Sequence, residues 1–200
     1  MKTATYVIAF SISLLCAGHS ATITVDTSAF VNYSDGSTRV TDNTGTVAVG
    51  TYNSEPTFAG NPSVSDVITG FDELGSGAFE DSVGNLDGFF RFNMTETITS
   101  AFDSKAVYIV LGNADTLSGS DQFLVWKATS NPDGNTFTAD NPLGGPGSIK
   151  LDNTAGSLLL GGFSSEAFIL ADAVPEPSSA ALLGLGGLAL LMRRRRESNL

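Results

Sequence analysis

Cysteine and histidine are almost missing from this chain of 200 residues, which has one of each. Both lie among the first twenty residues, as Cys16 and His19, so residues 21–173 have neither a thiol nor an imidazole. A body without these groups cannot form a disulfide, a Cys/His zinc site, or a Ser-His-Asp or Cys-His catalytic site. The absence therefore excludes most hydrolases and metalloproteins that depend on those side chains.

Basic residues are also scarce between residues 21 and 173. Five Lys or Arg stand against nineteen Asp or Glu there, which gives this body a formal charge of −14. Proteins bind the phosphates of nucleic acids through Lys and Arg, so we expect no nucleic-acid partner. A strongly acidic body stays soluble and attracts cations.

The first twenty residues have the layout of a secretory signal peptide that uses the Sec translocon. A positively charged start precedes an apolar run over residues 7–17, which is too short to span a membrane. Small residues then precede a predicted cut between Ser20 and Ala21. Lipid attachment at Cys16 is the alternative, although Leu15 is larger than the residue expected before such a cysteine. Either reading predicts export of residues 21–173.

The C-terminal 27 residues combine three segments in a fixed order. An extended Pro-Glu-Pro segment comes first, an uncharged stretch over residues 178–192 follows, and four arginines complete it. As a helix the stretch would be about 22 Å long, against about 30 Å for a hydrocarbon core. Arginine clusters mark the cytoplasmic side of a membrane, so the body is predicted to lie outside. The residues concerned are Pro175, Glu176 and Pro177, and then Arg193, Arg194, Arg195 and Arg196.

This arrangement resembles the PEP-CTERM sorting signal of Gram-negative bacteria that make exopolysaccharide. The resemblance implies recognition by an exosortase, an integral-membrane cysteine protease or transpeptidase that cuts near the motif. Cleavage would release a transiently anchored body to the cell surface or extracellular matrix, where exopolysaccharide is a possible partner. The alternative is an ordinary tail anchor with a chance Pro-Glu-Pro. The predicted domains are thus 1–20 (signal peptide), 21–173 (body) and 174–200 (sorting tail).

The body alternates short apolar or β-branched runs with turns rich in Gly, Asn, Asp and Ser. This pattern predicts an all-β fold, a two-sheet sandwich of the jelly-roll type, flanked by the signal helix and the short transmembrane helix. Single helical turns are predicted at 61–65, capped by Asn61, and at 72–74. The predicted strands are 21–26, 29–33, 46–52, 66–71, 89–93, 95–101, 106–111, 122–128, 147–151, 157–163 and 167–171.

The strand around residue 109 is apolar on both faces, which indicates a central position in its sheet. Val107, Ile109 and Leu111 share one face, and Tyr108 and Val110 share the other.

Trp126, the single tryptophan, lies on the opposite face of its strand from Phe123 and Val125. It either covers the core or stacks on a sugar ring.

Without His or Cys, hydrolysis would have to use a pair of carboxylates, as glycosidases do. The pairs Asp72-Glu73 and Glu80-Asp81 are the dense acidic clusters, although adjacent carboxylates in so acidic a body are usually solvated. We assign no catalytic residue and expect no enzyme.

Calcium is the hypothetical cofactor, because it takes oxygen ligands from Asp, Asn and loop carbonyls. One oxygen-rich loop contains Asn113, Asp115 and Asp121, and a second contains Asp133 and Asn135. Solvated turns are the alternative reading of both loops.

Three functions therefore remain open. The first is an exported surface or extracellular-matrix protein with a structural or adhesive role. The alternative is a carbohydrate-binding β-sandwich with structural calcium, and the third is a carboxylate-dependent enzyme acting on glycans. The export signals are common to all three.

Overall fold

A computed structural model of the chain describes residues 19–41, 43–79, 87–129, 136–137 and 147–174. Strands dominate these residues, which confirms the all-β class. The strands are β1 (His19–Thr27), β2 (Phe30–Asn32), β3 (Thr46–Tyr52), β4 (Phe71–Ala78), β5 (Arg91–Ile98), β6 (Tyr108–Gly112), β7 (Gln122–Ala128), β8 (Ser148–Leu151), β9 (Gly156–Leu160), β10 (Gly162–Ser164), β11 (Ala167–Ile169) and β12 (Ala171–Asp172). Helix α1 (Val64–Ile68) and a 3₁₀ turn (Leu117–Gly119) are the helical segments of the described chain.

The largest sheet has six strands, with β6 in the middle of the order β12-β7-β6-β3-β4 and β9 also paired to β7. All neighbouring pairs in this sheet are antiparallel. Every residue of β6 is buried, which confirms the prediction of a central strand. Its two faces contribute to two separate apolar clusters, called here the main core and the second core.

Two three-stranded sheets accompany the large one, so the described strands form three sheets where the sequence predicted two. Their orders are β5-β1-β8 and β10-β11-β2, and each contains one parallel pair, β1 with β8 and β11 with β2. The chain bends between β1 and β2, where the Thr27 hydroxyl donates to the carbonyl of Ala29 (2.7 Å). This bend separates strands that follow each other closely in sequence into different sheets.

The main core joins all three sheets. Ile109 and Leu124 of the large sheet lie in the same buried cluster as Val25 and Ile149 of the sheet β5-β1-β8 and Phe168 of the third sheet. Burial of such apolar surface is the dominant stabilising term in a fold of this kind.

The second core covers the opposite face of the large sheet, where Tyr108 and Val125 pack with Val67 of α1. Helix α1 thus closes a face that the strands leave open.

Three local predictions were wrong in the region of α1. The helix begins after a Ser63 cap instead of Asn61, because the Ser63 hydroxyl accepts from the Asp66 N–H (3.2 Å) while the Asp66 carboxylate accepts from the Ser63 N–H (2.9 Å). The strand predicted at 66–71 is mostly this helix and a turn at Gly70. The helical turn predicted at 72–74 belongs to β4.

Two further strand predictions were inexact. The separate strands expected at 89–93 and 95–101 form the single strand β5, and the strand expected at 157–163 is divided into β9 and β10. In the part of the chain that the structure describes, no helix has the length and apolarity needed to cross a membrane. The predicted signal helix and the tail helix at 178–192 lie outside the described residues.

Candidate functional site

The folded body holds the chain up to the residue immediately before the Pro-Glu-Pro segment. Ala173 is buried and its N–H donates to the carbonyl of Asp121 (2.7 Å). The N–H of Val174 donates to the carbonyl of Pro62 (2.9 Å), and Val174 pairs in parallel with Ser63. The chain therefore leaves the body at a fixed point beside the start of α1. The predicted sorting residues Pro175, Glu176, Pro177 and Arg193, Arg194, Arg195, Arg196 lie outside the described residues.

At the other end of the body, the predicted cleavage site lies within the first strand. Ser20 and Ala21 belong to β1, which starts at His19 and pairs with β5. A cut between Ser20 and Ala21 would remove the register pairs of His19 and Ser20 and leave those from Ala21 to Asp26. The predicted mature N-terminus would thus remain tied into a sheet.

A recess of about 480 Å³ in the described surface lies next to this exit point. Pro62 lines it together with Phe58 and Tyr52, and hydroxyl and amide groups supply most of the remaining wall. The Tyr52 hydroxyl donates to the carbonyl of Val67 (2.7 Å), and burial raises the pKa of this phenol well above its usual value. Tyr52 is therefore a neutral anchor between the sheet and α1.

The described lining of the recess includes one acidic residue, Asp66. Hydrogen bonds from the backbone and hydroxyl of Ser63 lower the pKa of Asp66. A general acid in glycoside hydrolysis needs a raised pKa and a second carboxylate across the cleft. The described lining of the recess is therefore mostly polar and uncharged.

Of the two acidic pairs singled out in the sequence, the structure describes Asp72-Glu73. Asp72 and Glu73 are exposed on β4, where the hydroxyl of Ser76 donates to the Glu73 carboxylate (2.6 Å). Glu80 and Asp81 lie outside the described residues.

Two of the three predicted calcium ligands interact directly with each other. The side-chain amide of Asn113 donates to the Asp121 carboxylate (2.7 Å), while the Asn113 carbonyl accepts from the backbone N–H groups of Asp121 (3.0 Å) and Gln122 (3.1 Å). Asp115 is exposed and lines a shallow cleft beside Thr46. The described residues include no cluster of three or more acidic, His or Cys side chains suited to a metal ion.

Trp126 is entirely buried in the main core. Its indole N–H donates to the carbonyl of Asp152 (3.0 Å). The ring has no free face for a sugar, so the ligand-stacking prediction at Trp126 is wrong and its alternative, coverage of the core, is correct. The prediction that Trp126 faces away from Phe123 and Val125 is confirmed, since those two residues belong to the second core.

A second cleft was missed in the sequence. It lies where β2 meets the β10–β11 hairpin, and its chemistry is set by Arg39, Asn32 and Glu166. Glu166 is far from Asn32 and Arg39 in the chain, and the three residues form no motif. A signal that could have drawn attention to Arg39 is the scarcity of basic residues in the body.

Comparison with known proteins identifies the tail. Residues 173–196 match the family model described as the PEP-CTERM protein-sorting motif. No curated protein and no solved structure matches the chain. The motif marks an exported protein that is processed by exosortase, a membrane enzyme, and sorted to the cell surface. The match begins at Ala173, the buried residue at which the body ends.

Proposed function

We propose that this protein is an exported surface or extracellular-matrix protein with a structural or adhesive, non-enzymatic role. The observation that carries the proposal is the junction at Val174, where an independently hydrogen-bonded body meets a matched sorting motif with no intervening linker. Exosortase would act on the tail, and the acidic body would be the part delivered. The body is an all-β scaffold whose three sheets share the main core.

The chemistry of the described surface supports a non-enzymatic body. The recess beside Val174 has Asp66 as its acidic group, and that group has a lowered pKa. Asp72 and Glu73 lie on the exposed strand β4. A carboxylate-dependent enzyme needs two such groups facing one cleft at about 5–9.5 Å.

The decisive experiment measures intact mass of the protein from the cell envelope and from the culture medium. We expect a species that begins near Ala21, ends near residues 175–177 and lacks Arg193–Arg196. Replacement of Pro175, Glu176 and Pro177 by alanine should retain the unprocessed tail in the inner membrane. Glu197→Ala, which lies beyond the matched segment, is the control and should be processed normally. Release of the triple-alanine variant at the parental rate would refute the sorting proposal.

A carbohydrate-binding role is the second candidate. One observation favours it, namely the cleft around Arg39, where a fixed cation lies among hydroxyl and amide groups.

A further inference from the structure

A cleft of about 280 Å³ lies between β2 and the β10–β11 hairpin. Phe30 and Asn32 of β2 line it, as do Gly36 and Ser37 and the hairpin turn at 164–167. The two sides are connected because β2 and β11 pair in parallel, with Phe30 opposite Ala167.

The guanidinium group of Arg39 is held in a fixed position by stacking on an aromatic ring. Its guanidinium carbon lies 3.4 Å from the centre of the Phe30 ring, which itself contacts Phe89 (4.4 Å between ring centres). Stacking on an aromatic face stabilises the cation and leaves the in-plane N–H groups free to donate. Among the described residues, no carboxylate lies within 4.0 Å of this guanidinium, whereas Arg91 and Lys127 both have acidic partners.

The backbone that carries Arg39 is also fixed. Asp35 accepts hydrogen bonds from the N–H groups of Ser37 and Thr38 (both 2.8 Å) and from the Thr38 hydroxyl (2.5 Å). Arg39 then pairs with Asn32 across the hairpin. Little conformational freedom remains to be lost when a ligand binds, which favours affinity.

Asn32, which also lines the cleft, has an unsatisfied acceptor. The residue is only 8% exposed, and its side-chain N–H₂ donates to the carbonyl of Gly36 (2.9 Å). Its carbonyl oxygen is buried without a hydrogen-bond partner among the described residues. Buried acceptors left without a donor are costly, so such an atom at a cleft favours a ligand or water that can donate.

The hairpin turn at 164–167 supplies hydroxyl groups and one carboxylate to the cleft. Ser165 and Glu166 form the tip of the hairpin, and both have positive φ, 50° and 75°. Non-glycine residues adopt this conformation rarely, so the turn is a constrained feature that places these residues at the cleft. Glu166 repels a simple anion but accepts hydrogen bonds from hydroxyl groups.

We propose that this cleft binds a carboxylate that also carries hydroxyl groups, such as the uronic acid unit of an acidic saccharide. The ligand carboxylate would pair with the in-plane N–H groups of Arg39, in the bidentate manner typical of guanidinium and carboxylate. Its hydroxyl groups would bond to Asn32, Ser164 and Glu166. The proposal does not depend on how the protein is sorted.

The test is calorimetric titration of the purified protein with three probes. They are a glucuronate-containing tetrasaccharide, the same tetrasaccharide with its carboxyl groups reduced to alcohols, and free glucuronate. We expect the acidic tetrasaccharide to bind and the reduced one to bind at least tenfold more weakly. Equal binding of free glucuronate would assign the site to small hydroxy acids, and weaker binding of glucuronate would assign it to a polymer. Either result supports the proposed chemistry.

Variants separate the cleft from general charge effects. Arg39→Gln should weaken binding at least tenfold, and Arg39→Lys should weaken it less, because a lysine keeps the charge but not the planar donors. Arg91→Gln is the matched control, since it also removes one exposed arginine but lies on β5 beside Asp26. It should change affinity less than twofold. The proposal is overturned if the reduced probe binds equally well, if Arg91→Gln weakens binding as much as Arg39→Gln, or if neither acidic probe binds at millimolar concentration.

Discussion

Replacement of Gly156 by alanine should disturb the packing of the single tryptophan. A Cβ atom on Gly156 would overlap the Cε2, Cζ2 and Nε1 atoms of Trp126. The indole is wholly buried and donates from Nε1 to the carbonyl of Asp152 (3.0 Å), so it cannot move without loss of packing or of this bond. The φ angle of Gly156 is not in the left-handed region, so the effect comes from the overlap and not from backbone strain.

The expected magnitude follows from three contributions. Overpacking a core by one methyl group costs about 1–3 kcal/mol. Loss of the Trp126 hydrogen bond would cost about 1 kcal/mol more. The alanine recovers about 0.4–1 kcal/mol by restricting the unfolded chain. The free energy of unfolding should therefore fall by about 1–3.6 kcal/mol, which corresponds to about 2–14 °C in Tm for a body of this size.

Urea unfolding followed by tryptophan fluorescence measures this change directly, because the probe is the residue that is displaced. We expect a lower urea midpoint and red-shifted native emission. Gly147→Ala is the control, since no described atom lies within 4 Å of the added methyl group. That variant should equal the parent or exceed it slightly in stability. A Gly156→Ala protein within 0.5 kcal/mol of the parent, with unchanged emission, would refute the packing argument.

Two other predictions concern polar turns. Asn113→Ala should lower the free energy of unfolding by about 1–3 kcal/mol, because three hydrogen bonds are lost. Thermal melts with calcium and with a chelator should show the same loss of stability. A loss confined to the calcium sample would show that the loop acts as an ion site instead. The pKa of Asp35 is lowered to about 2 by hydrogen bonds from Thr38 and Ser37. A lowered folded-state pKa stabilises the protein above the unfolded value and stops doing so as the pH falls through the folded value. Urea midpoints should thus fall more between pH 4 and pH 2 in the parent than in Asp35→Asn, and parallel curves would contradict the assignment.

The sequence predicted strands best where alternation and length agreed. The bounds of β3 and β7 were predicted to the residue, and both faces of β6 were assigned correctly. It failed at 66–71, where Val67 and Ile68 fit either a short strand or a buried helical face. The Ser63 and Asp66 pair, three residues apart, was the available signal for a helix start and was overlooked.

The candidate sites also differ in whether the sequence could predict them. The sorting tail could be predicted because a membrane enzyme reads it as a linear segment, in which order and spacing along the chain carry the information. The Arg39 cleft could not, because Glu166 and Arg39 come to line the same cleft only through the parallel pairing of β2 with β11. Whether Trp126 is covered or exposed could not be decided from alternation alone, because alternation gives the face of a strand but not what covers that face.

Composition and linear order alone thus determined that the chain carries a sorting signal, that its body is acidic and all-β, and that residues 21–173 have no His or Cys. These properties depend on which residues are present and on their immediate neighbours. The tertiary structure alone decided that three sheets share the main core, that Trp126 is a core residue and that Arg39 lies in a polar cleft. Each of those depends on contacts between residues far apart in the chain, and the pairing of strands that creates them is a collective result of burying both faces of the large sheet.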